Sequence, residues 1–231
     1  MKLADKSCAL EEAVSRIGVG ATVMLSGFGV PGTPFALIRE LVRQGPKNLT
    51  IIKNDANEKG MGVDHLLAAG MVKKLIVTHI GLNARAMAMM NAGDIEVEFC
   101  AQGMLAERVR AGGAGLMGFV TDIGLGTELA EGKTRVELGG REGVLESALR
   151  ADVALIHAAR ADTFGNLCYA AAARNFSPLM AMAADRVVAE AEVVVAPGGI
   201  VPEEVHTPGP FVDHVVPLGA LGEEYGVVRR A

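Results

Sequence analysis

The chain has 231 residues, a formal net charge of −5 at pH 7, half of its residues apolar and no Trp. That length suits one substantial α/β domain spanning residues 1–231 and is short for two. A net negative chain with no basic block excludes the clustered Lys/Arg footprint of a nucleic-acid binder, and every apolar run is cut short of the roughly 20 residues of a membrane span.

In MKLADKSCALEEAVSRIG, Ala9, Leu10, Ala13, Val14 and Ile17 share one helical face, with Glu11, Glu12 and Arg16 outside it. Acidic residues this early do not fit a secretory signal. Cys8, Cys100 and Cys168 stand far apart in no C-x-x-C arrangement, which fits a reducing cytosol, so we expect a cytoplasmic protein with all three thiols buried as small apolar groups. Strands are predicted at Thr22 to Leu25, Leu49 to Lys53, Leu75 to Ile80, Ile95 to Cys100 and Asp152 to Ala158, with Val187 to Ala189 and Val193 to Val195 later. Between them the spacing predicts helices at Pro34 to Arg43, Val63 to Met71, Asn83 to Met90 and Met104 to Arg110. The strands read as apolar blocks, as strands covered on both faces do. The expected fold class is therefore α/β with a mostly parallel, doubly wound sheet. Thr134 to Leu138, Gly139-Gly140 and Arg141 to Glu146 predict a small antiparallel hairpin flap. Gly112 to Gly115 and the Pro-rich stretch from Pro197 to Pro217 read as loops.

The most informative segment is Thr22-Val-Met-Leu-Ser26-Gly27-Phe28-Gly29-Val30-Pro31-Gly32-Thr33-Pro34, a strand running through a glycine-rich loop into a helix. Thr33 suits an N-cap and Pro34 a first helical position. Glycines permit positive φ and close ligand approach, and free N–H groups at the helix start favour an anion. Gly27, Gly29 and Gly32 also satisfy G-x-G-x-x-G, with Asp55 ending the next strand, so an NAD(P)-dependent oxidoreductase is the alternative reading. Against it, Pro31 and Pro34 remove two amides from the stretch that would cradle a pyrophosphate, and Pro34 delays the helix.

Ser26-Gly27-Phe28-Gly29 followed by Gly32-Thr33-Pro34 resembles the G-G-F-x-x-x-G-x-P signature of the A subunits of 3-oxoacid and acetate–acetoacetate coenzyme A transferases. The resemblance runs along nearly the whole chain, through Leu49 to Asp55, Gln102 to Gly115, Gly165-Asn166-Leu-Cys-Tyr169, Ala173 to Phe176 and His206-Thr-Pro-Gly209. Ser26 stands for the usual first Gly, Ala101 for a usual Pro, and Asp55 where related chains often carry Asn. The resemblance implies a CoA-transferase-like three-layer fold and a reaction in which a glutamate attacks an acyl-CoA thioester. That glutamate lies in an S-E-N-G-like motif of a B subunit. This chain has no such motif, so no catalytic nucleophile is expected in it, and a B subunit in an αβ or α2β2 assembly is the implied partner. Coenzyme A and acyl-CoA are implied as substrates, with no cofactor permanently bound. Ser26, Gly27, Phe28, Gly29, Val30, Pro31 and Gly32 are expected to line the CoA side.

Gln102 follows the Ile95 to Cys100 strand and Asn54 ends the second strand, both at the carboxyl edge where open α/β sheets bind ligands. Either amide could donate to an acyl oxygen without adding charge. Glu11, Glu12, Glu96, Glu98, Glu107, Glu203 and Glu204 read as solvated charges. His65, His79, His157, His206 and His214 show no H-E-x-x-H or close Cys/His spacing, so no metal is expected. Arg174 and Asn175 read as braces of the fold or of a subunit interface. A sugar-phosphate isomerase or deaminase would want Lys or Arg for a phosphate beside a self-contained acid/base pair, and neither is apparent. A non-catalytic binding module is the remaining class, if no partner chain exists.

Overall fold

The computed structural model describes residues 4–222, 224 and 225; the outermost parts of the expected 1–231 unit lie outside the described residues. The main sheet has the order β11-β10-β8-β1-β2-β3-β4, built from β1 (Thr22–Leu25), β2 (Leu49–Ile52), β3 (Val72–Val77), β4 (Glu96–Phe99), β8 (Ala151–Asp162), β10 (Ala184–Val195) and β11 (His214–Pro217). These seven strands pair in parallel. A short β9 (Leu167–Cys168) adds antiparallel to β8. The chain winds outward from β1 through β2, β3 and β4, then returns to β8 on the other side of β1 and winds the opposite way. The strand order therefore reverses between β1 and β8, and the glycine-rich loop leaves the carboxyl end of β1 at that point, where ligands of open α/β sheets bind.

Alternation along each strand divides its side chains between two cores. Val23 and Leu25 of β1, Ile51 of β2 and Leu155 of β8 face a layer formed by α1 (Leu10–Val14), α2 (Phe35–Gln44), α3 (Val63–Ala68) and α4 (Ala84–Ala92). Met24, Ile52, Ala154 and Ile156 face the other side, covered by α5 (Gln102–Gly113) and α6 (Ser177–Ala183). Burial on both faces explains the unbroken apolar runs of the central strands. The expected α/β class and parallel sheet are both present. The hairpin is present too, as β6 (Arg135–Leu138) and β7 (Arg141–Ser147), with Gly139 and Gly140 at φ 61° and 73° in its tight turn. A third strand, β5 (Gly118–Thr121), pairs antiparallel with β7 and completes the flap.

Several boundaries differ from the sequence expectation. The two late strands are one twelve-residue strand, β10, because Glu190 between them is wholly buried and hydrogen-bonded instead of ending the strand. The stretch from Pro197 to Pro217 is not all loop: His214–Pro217 is an edge strand, and a Pro at its end leaves the ladder intact. Gly112 and Gly113 belong to α5, where a Cβ on Gly112 would meet the Leu149 carbonyl oxygen at 2.0 Å. Strand β3 begins earlier than expected, at Val72, which pairs with Leu49 of β2, and Lys74 on it reaches Glu96 at 2.7 Å and Glu98 at 2.8 Å on β4. Cys100 and Cys168 are buried but Cys8 is only half-buried. Of the glutamates read as solvated, Glu98 instead joins the Arg108 guanidinium at 2.7 Å.

Candidate functional site

The glycine-rich loop owes its shape to three positive φ angles, 103° at Gly27, 59° at Gly29 and 80° at Gly32. At two of them space also demands glycine. A Cβ on Gly27 would lie 2.2 Å from Thr33 Oγ1, and one on Gly32 would lie 2.5 Å from the Ala173 carbonyl oxygen. Thr33 is not the expected N-cap: its hydroxyl donates back to Gly29 O at 2.6 Å, and α2 starts at Phe35 with Pro34 in the cap position. Ser26 is wholly buried, donating its hydroxyl to Gly32 O at 2.6 Å and accepting the His157 N–H at 3.2 Å, so it shapes the loop from inside. Phe28 is 48% exposed at the loop tip.

Most loop amides are already committed. Gly27 N–H goes to Asn175 Oδ1 at 3.2 Å, Phe28 N–H to Pro31 O at 3.1 Å, and Gly29 N–H to Asp55 Oδ2 at 2.8 Å. Val30 and Gly32 keep N–H groups with no partner among the described residues. The N–H groups at the start of α2, expected to be free for an anion, serve the protein itself. Ala36 N–H reaches the Tyr225 hydroxyl and Leu37 N–H the buried carboxylate of Glu190, both at 2.9 Å, so an internal anion occupies the positive end of the helix.

Gln102 and Asn54, singled out separately in the sequence, are brought together. Gln102 opens α5 and donates to Asn54 Oδ1 at 2.8 Å, while Asn54 Nδ2 donates to Asp55 Oδ2 at 3.0 Å. Asn54 is wholly buried, with its Oδ1 and one of its two amide N–H groups engaged within the protein. Gln102 is exposed, and its second amide N–H has no partner among the described residues. Asp55 anchors the group: its other oxygen accepts Asn57 N–H at 2.8 Å and faces the Lys53 ammonium at 3.3 Å. Burial pushes the Asp55 carboxyl upward, but Lys53 and the donors on Gly29, Asn54 and Asn57 outweigh it and hold it below the usual carboxylate range.

Two clefts flank the loop. One, of about 460 Å³, lies between Phe28, Val30, Met61, Ile80 and Leu82, with Asp55 also lining it. The other, of about 410 Å³, is bordered by Val30, Gly32, His157, Glu192 and Tyr225. His157 lies 2.9 Å from Glu190 and 3.3 Å from Glu192. Asn175 braces the loop by donating to Pro31 O at 3.0 Å as well as accepting from Gly27, and Arg174 is exposed.

Lys53, Asn57, Glu58, Glu190, Glu192 and Tyr225 are not among the residues that the sequence singles out. The signal for Lys53 and Asn57 was present: a run of polar residues, Lys53-Asn54-Asp55-Ala56-Asn57, closes an apolar strand at the ligand edge. Glu190 gave a weaker one, a carboxylate inside an apolar strand. Nothing local marked Tyr225.

A coenzyme A transferase family model matches residues 8–218. The A-type component of the succinyl-CoA:3-ketoacid coenzyme A transferase of Xanthomonas campestris pv. campestris (strain B100) is 46% identical over 96% of this chain and 90% of its own. The alpha component of the acetate CoA-transferase of Escherichia coli (strain K12) is 42% identical over 91% of this chain and 96% of its own. An acyl-CoA transferase from E. coli O157:H7, solved as a thioester complex with CoA, superposes with a TM-score of 0.84 at 25% identity. That match covers 95% of this chain, which spans only 48% of that protein. The dinucleotide-dependent alternative finds no support in these matches. The chain belongs to the coenzyme A transferase family.

Proposed function

We propose that this chain is the A-type subunit of a two-subunit CoA transferase, moving CoA from an acyl-CoA to a short-chain or 3-oxo carboxylic acid in the cytoplasm. The observation that carries this reading is the placement of the Ser26 to Gly32 loop at the reversal of strand order, joined through Asp55 and Asn54 to a neutral amide on Gln102. A B-type subunit, in an αβ or α2β2 assembly, supplies the nucleophile. Its glutamate carboxylate attacks the thioester carbonyl and the C–S bond breaks, leaving an acyl-glutamyl anhydride and CoA thiolate. The thiolate then attacks the glutamyl carbonyl, releasing the donor acid and forming a glutamyl-CoA thioester, which the acceptor carboxylate opens by the same steps in reverse order.

This chain's part is to stabilise charge that develops on the acyl oxygen. The uncommitted N–H groups of Val30 and Gly32, and the second N–H of Gln102, are neutral donors on fixed supports. Donors fixed in advance need no reorganisation as the oxyanion forms. A positive side chain there would instead compete for the carboxylate nucleophile.

The test is reconstitution. The purified chain alone gives no CoA transfer, and mixing it with the cognate B-type partner restores turnover. Robust transfer by this chain with no partner detectable by mass spectrometry overturns the split-site reading.

A further inference from the structure

The larger of the two clefts has a one-sided electrostatic character. Its walls are Phe28, Val30, Met61, Ile80 and Leu82, and no Lys or Arg among the described residues lines it. The charged groups that do line it are the carboxylates of Asp55 and Glu58. Lys53, the partner of Asp55, is wholly buried and does not line the cleft, so the Lys53–Asp55 pair presents its negative end to the cavity. Asn57 is spent, donating to Gly29 O at 2.8 Å and accepting Val63 N–H at 3.0 Å. His79 also lines the cleft, and its imidazole has no partner among the described residues, so it can hydrogen-bond a neutral oxygen. Val30 places an uncommitted amide at the rim.

Resting on the transferase reading, we propose that this cleft seats the acyl group of the CoA ester, and that Asp55 is a specificity-determining residue favouring short acyl chains with an uncharged tail over chains ending in a second carboxylate. An apolar tail such as butyryl loses only contact with water on entering, and a 3-oxo group such as that of acetoacetyl can take the His79 donor. A succinyl tail has nearly the same length, but places its carboxylate among apolar walls and beside Asp55, where the His79 N–H is a single donor and no Lys or Arg among the described residues lines the wall to balance the charge. Burying an unpaired charge next to a like charge is penalised on both counts.

The experiment compares kcat/KM of the reconstituted complex for butyryl-CoA and succinyl-CoA, with acetate and with acetoacetate as acceptors. A preference of at least about tenfold for butyryl-CoA is expected, the size of a moderate pocket discrimination. Asp55→Asn keeps the shape and removes the charge, and Met61→Arg adds a cation to the wall; each lowers that ratio by about tenfold. Use of succinyl-CoA equal to or better than butyryl-CoA overturns the assignment and leaves the transferase reading standing. A ratio unmoved by both substitutions also overturns it. Failure of the complex to transfer CoA from either ester, and from acetyl-CoA and acetoacetyl-CoA as well, overturns the transferase reading itself.

Discussion

Gln102 donates its side-chain amide to Asn54 Oδ1 across 2.8 Å, joining the ends of two different strand-to-helix connections into one neutral hydrogen-bonding unit. Asn54 is buried and its amide is engaged by Asp55, so it fixes the angle at which Gln102 points. The pair is a donor and its support.

Gln102→Ala should therefore cost turnover far more than stability. Removing one donor aimed at developing charge costs about 2.7 to 4 kcal/mol of transition-state stabilisation. Truncation also takes a hydrogen bond from the buried Asn54 Oδ1, which Thr78 Oγ1 reaches at 3.4 Å, so a stability loss of about 1 kcal/mol is expected. Steady-state kinetics of the complex and thermal unfolding of the same sample separate the two. Unchanged kcat and kcat/KM would assign Gln102 to loop bracing alone.

Two glycines of the loop should respond differently to the same change. Gly27→Ala places a methyl carbon 2.2 Å from Thr33 Oγ1 and 2.6 Å from Thr33 N, contacts that only backbone movement relieves. Gly29 has open space around its Cβ position, so Gly29→Ala meets only the left-handed backbone penalty of about 1 to 2 kcal/mol. The expected order in melting temperature and in acyl-CoA use is wild type, then Gly29→Ala, then Gly27→Ala well below both. Gly29→Val, β-branched at positive φ, falls below Gly29→Ala. A Gly27→Ala protein as stable as wild type would refute the packing argument.

His157 makes stability depend on pH. Burial pushes its imidazole pKa down, but the carboxylates of Glu190 and Glu192 outweigh this and raise it above the ordinary histidine value. A group whose folded pKa is raised stabilises fully below its unfolded pKa, about 6.5, and loses that contribution as pH climbs through the folded value. Urea unfolding midpoints should accordingly fall as pH rises above about 6.5 through this group. His157→Gln should flatten that slope. An equally steep dependence in the variant would place its source elsewhere.

Local chemistry carries much of this protein. The β1–loop–α2 unit follows from an apolar run, positive-φ glycines and a proline just ahead of the helix. The flap turn follows from Gly139-Gly140, and the family follows from ordered motifs spread along the chain. These features depend on a residue and its near neighbours, whose spacing a linear sequence preserves. The tertiary structure decided what faces what. Strand β8 lies beside β1 and sets the reversal at which the loop opens, although more than 100 residues separate the pairing partners Val23 and Val153. Glu190 caps α2 from β10, Tyr225 reaches Ala36 from near the end of the described chain, and Asn175 holds Gly27 from beyond β9. Which partners the Asn54 side chain takes was likewise decided by Gln102 and Asp55 folding onto it. A polar side chain has the same donors and acceptors in any sequence context, and only the packed fold determines which are already spent.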